Sequence, residues 1–281
     1  MRDVRPAAVA GMFYPGSPAE LAATVRGCLS EARRPAEACA GVPKALIVPH
    51  AGYVYSGPIA AGAYARLAAL SGTIRRVVLL GPTHRVAVRG LALPSVRAFA
   101  TPLGEVEVDR EAVAAVTGMP QVVVSDAAHA LEHSLEVQLP FLQAVLDGFR
   151  IVPFAVGAAS PDEVAQVLDR LWGGPETLVV VSSDLSHYHR YAEARAIDRA
   201  SAERILALDG TLDHEEACGA TPINGLLLCA RRRGLAPALV DLRNSGDTAG
   251  DRSRVVGYAS FLFTEGVSDA APAASRGEVA P

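Results

Sequence analysis

Three short apolar runs in this 281-residue chain each end at a histidine, and that arrangement limits what the chain can become more than any other feature. The runs are Lys44-Ala-Leu-Ile-Val-Pro-His50, Arg76-Val-Val-Leu-Leu-Gly-Pro-Thr-His84 and Thr177-Leu-Val-Val-Val-Ser-Ser-Asp-Leu-Ser-His187. Apolar runs of this length, bounded by turn residues, read as strands buried on both faces in a parallel sheet covered by helices. In open α/β sheets, ligands bind in the crevice beyond the carboxyl ends of such strands. Three imidazoles delivered there from distant parts of the chain point to a metal or acid–base site.

The segments between these runs supply the helices. Ser17-Pro-Ala-Glu20 predicts a capped helix to about residue 34, and residues 57–70 an Ala-rich one. Helical apolar spacing recurs over 129–146, and Ser160-Pro-Asp-Glu163 opens another helix with Pro at its first position. Two more are expected at 191–208 and 223–233. Strands at 121–124 and 150–156 continue the alternation, and 237–242 and 255–263 close it as antiparallel strands at the sheet edge. The expectation is one α/β domain over residues 1–265, with a mostly parallel central sheet flanked by helices. The small, polar, Ala-rich tail 266–281 reads as disordered.

Apolar residues make up 50% of the chain but aromatics only 5%, which favours tight helix-on-sheet packing over a deep aromatic pocket. A net charge of −4 and a pI near 6.0 give no footprint for nucleic acid. Arg231-Arg232-Arg233, followed by Gly234, reads as a solvated helix C-terminus. No apolar run approaches the roughly 18 residues that a membrane span needs, and the N-terminus has no signal-like stretch. A cytoplasmic protein with no membrane partner is the expectation. Of the four cysteines, Cys28 and Cys229 sit in apolar helical patterns as buried hydrophobes, Cys39 lies in a loop, and Cys218 is a ligand candidate.

His50 and His84 follow strands separated by one crossover helix and are expected to be spatial neighbours. Neutral imidazole suits iron, copper and zinc, and a redox-active or Lewis-acid metal needs an anionic ligand as well. Glu132, Glu136, Asp126, Asp184, Glu215, Glu216 and the Cys218 thiolate are all candidates, and spacing does not separate them. His187 is the candidate acid–base group. Asp184 either orients a histidine or caps a helix, and His189 is assigned to the surface. Tyr53 and Tyr55, in the glycine-bounded loop 49–57, either line the pocket or pack the turn. One local pattern competes: His129-Ala-Leu-Glu132-His133 reads H-x-x-E-H, the inverted zinc-peptidase motif, with both imidazoles on one helix face. Pairing of His133 with Glu132 or Glu136 as an outer anchor for a ligand explains it equally well.

Seven blocks in order carry a resemblance. They are Gly11-Met-Phe-Tyr-Pro15, Pro49-His-Ala-Gly-Tyr-Val-Tyr-Ser-Gly57, Leu80-Gly-Pro-Thr-His84 and Thr101-Pro-Leu-Gly104, followed by Glu132-His-Ser-Leu-Glu-Val-Gln-Leu-Pro140, Ser182-Ser-Asp-Leu-Ser-His187 and Asn244-Ser-Gly-Asp-Thr-Ala-Gly250. From Arg5 to about Phe263 the chain resembles the Memo family, in particular the branch called AmmeMemoRadiSam system protein B. That family is similar in fold to class III extradiol dioxygenases, which hold Fe(II) with two His and a Glu and use a further His as acid–base catalyst. The resemblance implies that His50 and His84 are metal ligands and His187 the acid–base or pocket histidine. It places Cys218 where the dioxygenases have their ligating Glu. A thiolate is softer than a carboxylate and favours copper or other thiophilic metals, and its oxidisability argues against routine oxygen activation. Iron or copper is the implied metal, and the implied function is a metal-dependent redox or dioxygenase-like reaction on a small molecule. The alternative is a non-catalytic metal- or partner-binding protein working with radical SAM and AMMECR1-like proteins.

Overall fold

A computed structural model describes residues 3–32 and 41–265. The tail 266–281 and Cys39 lie outside the described residues. The strands are β1 (Val4–Arg5), β2 (Val42–Val48), β3 (Arg76–Pro82), β4 (Leu91–Leu93), β5 (Ala98–Thr101), β6 (Gly104–Glu107), β7 (Val122–Val124), β8 (Arg150–Val156), β9 (Thr177–Ser182), β10 (His187–His189), β11 (Ala236–Asn244) and β12 (Val255–Glu265). The helices are α1 (Pro18–Ser30), α2 (Tyr53–Tyr64), α3 (Arg110–Val116), α4 (Asp126–Ala130), α5 (Leu139–Val145), α6 (Pro161–Leu171), α7 (Tyr191–Leu206) and α8 (Ala220–Arg233).

The main sheet runs β10-β12-β2-β9-β3-β8-β4-β7, with β11 also paired to β12. Its centre, β2-β9-β3-β8, is parallel throughout. Antiparallel pairs on both flanks make the whole sheet mixed, and β11 and β12 pair antiparallel as expected. A small second sheet, β1-β5-β6, adjoins it at β8, where Val108 bridges to Ile151.

Side chains on the central strands alternate between two cores. Ala45, Ile47, Val78, Leu80, Val179 and Val181 face the layer of α3, α6, α7 and α8, whereas Leu46, Val48, Val77, Leu79, Leu178 and Val180 face α1, α2 and α5. This is the period-2 geometry of a strand, and both faces are apolar because both are covered. Each such Val or Leu contributes roughly 1.5–3 kcal/mol by leaving water.

Helix ends follow local chemistry. Ser160 and Glu163 form a reciprocal capping box at α6, whereas Ser17 starts α1 without a side-chain cap bond. Gly234 ends α8 at φ 65, the left-handed cap expected after three arginines. Arg232 and Arg233 pair with Asp162 and Asp169 of α6, so this cluster is a helix–helix contact at the surface.

Two local expectations are corrected. Helix α2 starts at Tyr53 rather than residue 57, which places both Tyr53 and Tyr55 in its first turn. The helix expected over 129–146 is broken into α4, a 3-10 turn at Glu136–Gln138 and α5. The reason lies in side chains that take the helix's own partners. Glu132 accepts the His133 and Ser134 N–H groups, and Arg5 donates to the carbonyls of His129 and Glu132.

Candidate metal centre at the strand ends

β9 lies between β2 and β3, so His50 and His84 follow strands that are not adjacent. Their rings still meet, with centroids 5.2 Å apart, because both chains turn inward over the end of β9. A third imidazole joins them. One ring nitrogen from each of His50, His84 and His133 lies within 4.8 Å of the other two, a grouping able to hold a metal ion.

The hydrogen bonds set which nitrogen each ring presents. The Ser182 hydroxyl donates to the Ser134 carbonyl at 2.6 Å and accepts from the Gln138 amide at 2.7 Å. Its proton is thus committed, and a hydroxyl has only one. At 3.0 Å it must therefore accept from His50 Nδ1–H, which leaves the His50 Nε2 lone pair open. Glu132 bonds the His84 ring, its Oε1 lying 2.9 Å from His84 Nδ1, and stands 3.3 Å from His133 Nδ1 without a ring hydrogen bond there. The carboxylate thus directs the His84 Nε2 outward, the arrangement typical of supports behind metal-ligating histidines.

Burial keeps these groups ready to ligate. Desolvation, reinforced by the neighbouring His84, lowers the His50 pKa to about 3. Desolvation and the His50 charge likewise lower His133 to about 4. Both rings are therefore neutral at pH 7. For Glu132, burial pushes the pKa up, but bonds from His84 and from backbone N–H groups outweigh it and bring the value down to about 2. That carboxylate is ionised, 2% exposed, and accepts from the His84 N–H at 2.6 Å.

Cys218 approaches from the loop before α8, and its Sγ lies 3.3 Å from His50 Nε2. Tetrahedral S and N ligands of one ion stand roughly 3.6 Å apart, so the spacing to His50 alone is that of a ligand pair, while the Sγ lies outside the three-histidine group. Burial first, then the Asp184 charge, raises the thiol pKa to about 12. The neutral S–H faces two acceptors, the open His50 lone pair and the Asp184 carbonyl at 3.6 Å. Asp184, at the end of β9, accepts the His50 backbone N–H at 2.7 Å, and its carboxyl pKa is raised by burial.

Two glycines make the assembly possible. A Cβ at Gly81 would stand 2.7 Å from Ser134 Oγ, so only glycine lets the 132–135 loop lie on the end of β3. A Cβ at Gly219 would stand 2.7 Å from the Ser183 Cβ, blocking the Cys218 loop from β9.

Among the sequence candidates, His50 and His84 come together with His133; Cys218 touches His50 but does not belong to that three-histidine group, and it lines with His84 one cleft of about 360 Å³ that also takes in Thr83, Val156 and His214. His187 is half-buried at the start of β10, close enough for its charge to act on His50 and Asp184. His189 pairs with Glu193 at 3.2 Å. Tyr53 donates to the Val137 carbonyl and packs the core, while Tyr55 is 38% exposed. Glu136 is committed to Arg5 and Tyr14, Asp126 to Ser95, and Glu216 to Arg204.

The H-x-x-E-H pattern does not form a helical zinc pair. His129 turns away to bond the Ala92 carbonyl at 2.8 Å, and α4 ends before Glu132. Nor does His133 pair along a helix with Glu132 or Glu136: the Glu132 carboxylate bonds the His84 ring instead, and Glu136 is held by Arg5 and Tyr14. Two histidines escaped sequence reasoning. His133 was legible only as half of a helical pair, and the break at Leu131 that redirects it has no sequence signal of its own. His214 follows no apolar strand run, so the strand-end pattern passed over it.

Comparison with known proteins matches residues 5–262 to the family model described as Memo-like protein. The chain is 38% identical to a MEMO1 family protein of Methanopyrus kandleri, covering 93% of this chain and 99% of that one. It is 37% identical to one from Ignicoccus hospitalis (92% and 98%) and 37% identical to one from Archaeoglobus fulgidus (91% and 97%).

Proposed function

The chain belongs to the Memo family, and on that premise we propose that it binds a transition-metal ion through His50, His84 and Cys218 and acts on a small molecule in the adjoining cleft. The observation that carries this reading is the fixed tautomers: Ser182 and Glu132 hold the Nδ1 sides of His50 and His84, so both rings offer an open Nε2. Nitrogen and sulfur donors together suit copper, iron or zinc, and we favour iron or copper. When bound, such an ion supplies Lewis-acid or redox chemistry at the cleft.

The chain's own residues have separable tasks. His50 and His84 bind, while Glu132, Ser182 and Asp184 orient them. Cys218 loses its proton as it becomes a ligand, balancing one positive charge. His133 is either a further ligand or the wall of the site, with Phe13 packed on its ring at 4.6 Å. His187, at the rim, holds or moves a proton for the small molecule. Among the described residues no helix is long and apolar enough to cross a membrane, which accords with the cytoplasmic placement we propose.

The test is anaerobic reconstitution with Fe(II) or Cu(I), metal analysis by mass spectrometry, and oxygen uptake with a panel of catechols. One ion per chain, lost in His50→Ala and His84→Ala and weakened in Cys218→Ser, supports the assignment. Retention of metal in all three variants overturns it. Catechol cleavage that disappears in His187→Ala with metal content unchanged supports catalysis, and tight metal without turnover on any substrate leaves the metal-binding part alone.

A further inference from the structure

The chain carries more acidic than basic residues, 30 against 26, yet one crevice, opening at the residue after His187, is dominated by arginine. It measures about 640 Å³ and is lined by Tyr188, His189, Arg190, Glu193 and the turn Arg252-Ser253-Arg254. The acid in it, Glu193, is occupied by His189. Arg190, Arg252 and Arg254 form no ion pair among the described residues, whereas Arg97, Arg204, Arg232, Arg233 and Arg243 all do. Asp251, next to Arg252 in the chain, accepts from Ser253, and Asp247 accepts from Tyr191; both keep their charge without forming an ion pair with these arginines.

Two of these guanidinium groups are held in place. Arg252 lies 4.4 Å over the Tyr191 ring, and Arg254 lies 4.9 Å over Tyr188. Stacking fixes the plane of a guanidinium while leaving its N–H edges for an acceptor, so little freedom remains to be lost on binding.

Tyr188 itself is unusual. Its φ is 64, left-handed backbone that a bulky aromatic rarely adopts, and its side chain is 63% exposed. The β10–β12 register shifts between His187 and His189, so the strained residue is a bulge inserted beside His187. Neither core packing nor strand pairing requires an exposed ring there. Strain of this kind concentrates where a binding surface needs a particular side chain aimed outward.

We propose that this crevice binds an oxyanion, a carboxylate or phosphate, carried by the small molecule that the metal centre acts on. Arg190 and Arg254 form the clamp, and Tyr188 holds Arg254 in position. This deepens the function proposed above and rests on it for the identity of the site served. The chemistry is that of guanidinium forks, which match planar carboxylate and phosphate oxygens with two donors at a time.

The experiment is a ¹⁵N–¹H NMR titration of the full chain with inorganic phosphate and, separately, benzoate, against chloride at matched ionic strength. Saturable shifts confined to residues 188–190 and 252–254 are expected with at least one probe, and which probe saturates tells phosphate from carboxylate. Arg190→Gln and Arg254→Gln should each weaken binding about tenfold, and Tyr188→Ala should weaken it less. Unchanged resonances elsewhere in these variants show that they fold. Unsaturable shifts spread over other arginines, Arg231–Arg233 included, or an unaltered affinity in the double variant, overturn the proposal. His50→Ala separates the two readings: it should abolish metal binding and leave the anion affinity unchanged, so either can fail without the other.

Discussion

Glu132→Gln tests the centre of the site with a change of one atom. The carboxyl pKa moves from an ordinary 4.5 to about 2 in the fold, because burial, which opposes ionisation, is outweighed by bonds from His84 and from backbone N–H groups. A shift of that size means the fold favours the ionised group by about 3 kcal/mol. Glutamine keeps one carbonyl oxygen for His84 Nδ1 and the His133 and Ser134 N–H groups. It also puts an NH₂ where Oε2 now accepts the His84 N–H, leaving a buried donor without an acceptor. That mismatch alone costs roughly 1–3 kcal/mol and is part of the same loss, not an addition to it. Urea denaturation of metal-free protein at pH 7 should therefore show the variant about 3 kcal/mol less stable. The pH dependence has a definite sign. Since the folded pKa is depressed, the stabilisation is complete above 4.5 and fades as pH falls toward 2, so the two proteins should converge in acid. Metal affinity should fall about 10–100-fold, the usual cost of removing a support behind a ligating histidine. Equal stabilities at pH 7, or a gap that stays constant down to pH 3.5, would show that Glu132 does not organise the site.

The remaining predictions address neighbouring groups. With its thiol pKa raised to about 12, Cys218 should release one proton per ion bound, so affinity should rise about tenfold per pH unit near neutrality in wild type but not in Cys218→Ser; isothermal titration calorimetry in buffers of different ionisation enthalpy reads this directly. Arg5→Met removes the cation 2.5 Å from the fully buried Glu136, which should cost about 3–5 kcal/mol in urea denaturation and loosen metal binding through the 129–136 segment. Burial raises the Asp198 pKa from 3.8 to about 6, so its ionised form opposes folding, absent below 3.8 and complete above 6. Asp198→Asn should accordingly stabilise the protein by about 3 kcal/mol at pH 8 and not at pH 4; a gain of equal size at both pH values would reject that account.

The reach of the sequence differs from one part of the molecule to another. The apolar runs at 44–48, 76–80 and 177–181 determined three parallel central strands, because a strand buried on both faces has no polar alternation to hide it. The blocks around His50 and His84 marked residues that do meet, since a parallel sheet delivers strand ends to one edge whatever the strand order. That order itself came from tertiary pairing: β9 enters between β2 and β3, which no local pattern records. His133 shows the other boundary. Residues 129–133 carry a helical spacing, and as an isolated segment they would place His129 and His133 on one face. Arg5, more than 120 residues distant, takes the carbonyls of His129 and Glu132, while the Glu132 carboxylate takes the next two N–H groups. Those bonds end the helix and swing His133 toward His50. Local propensities of a few tenths of a kcal/mol per residue yield to buried, charge-assisted bonds worth several times more, and such bonds exist only once distant segments have been packed together.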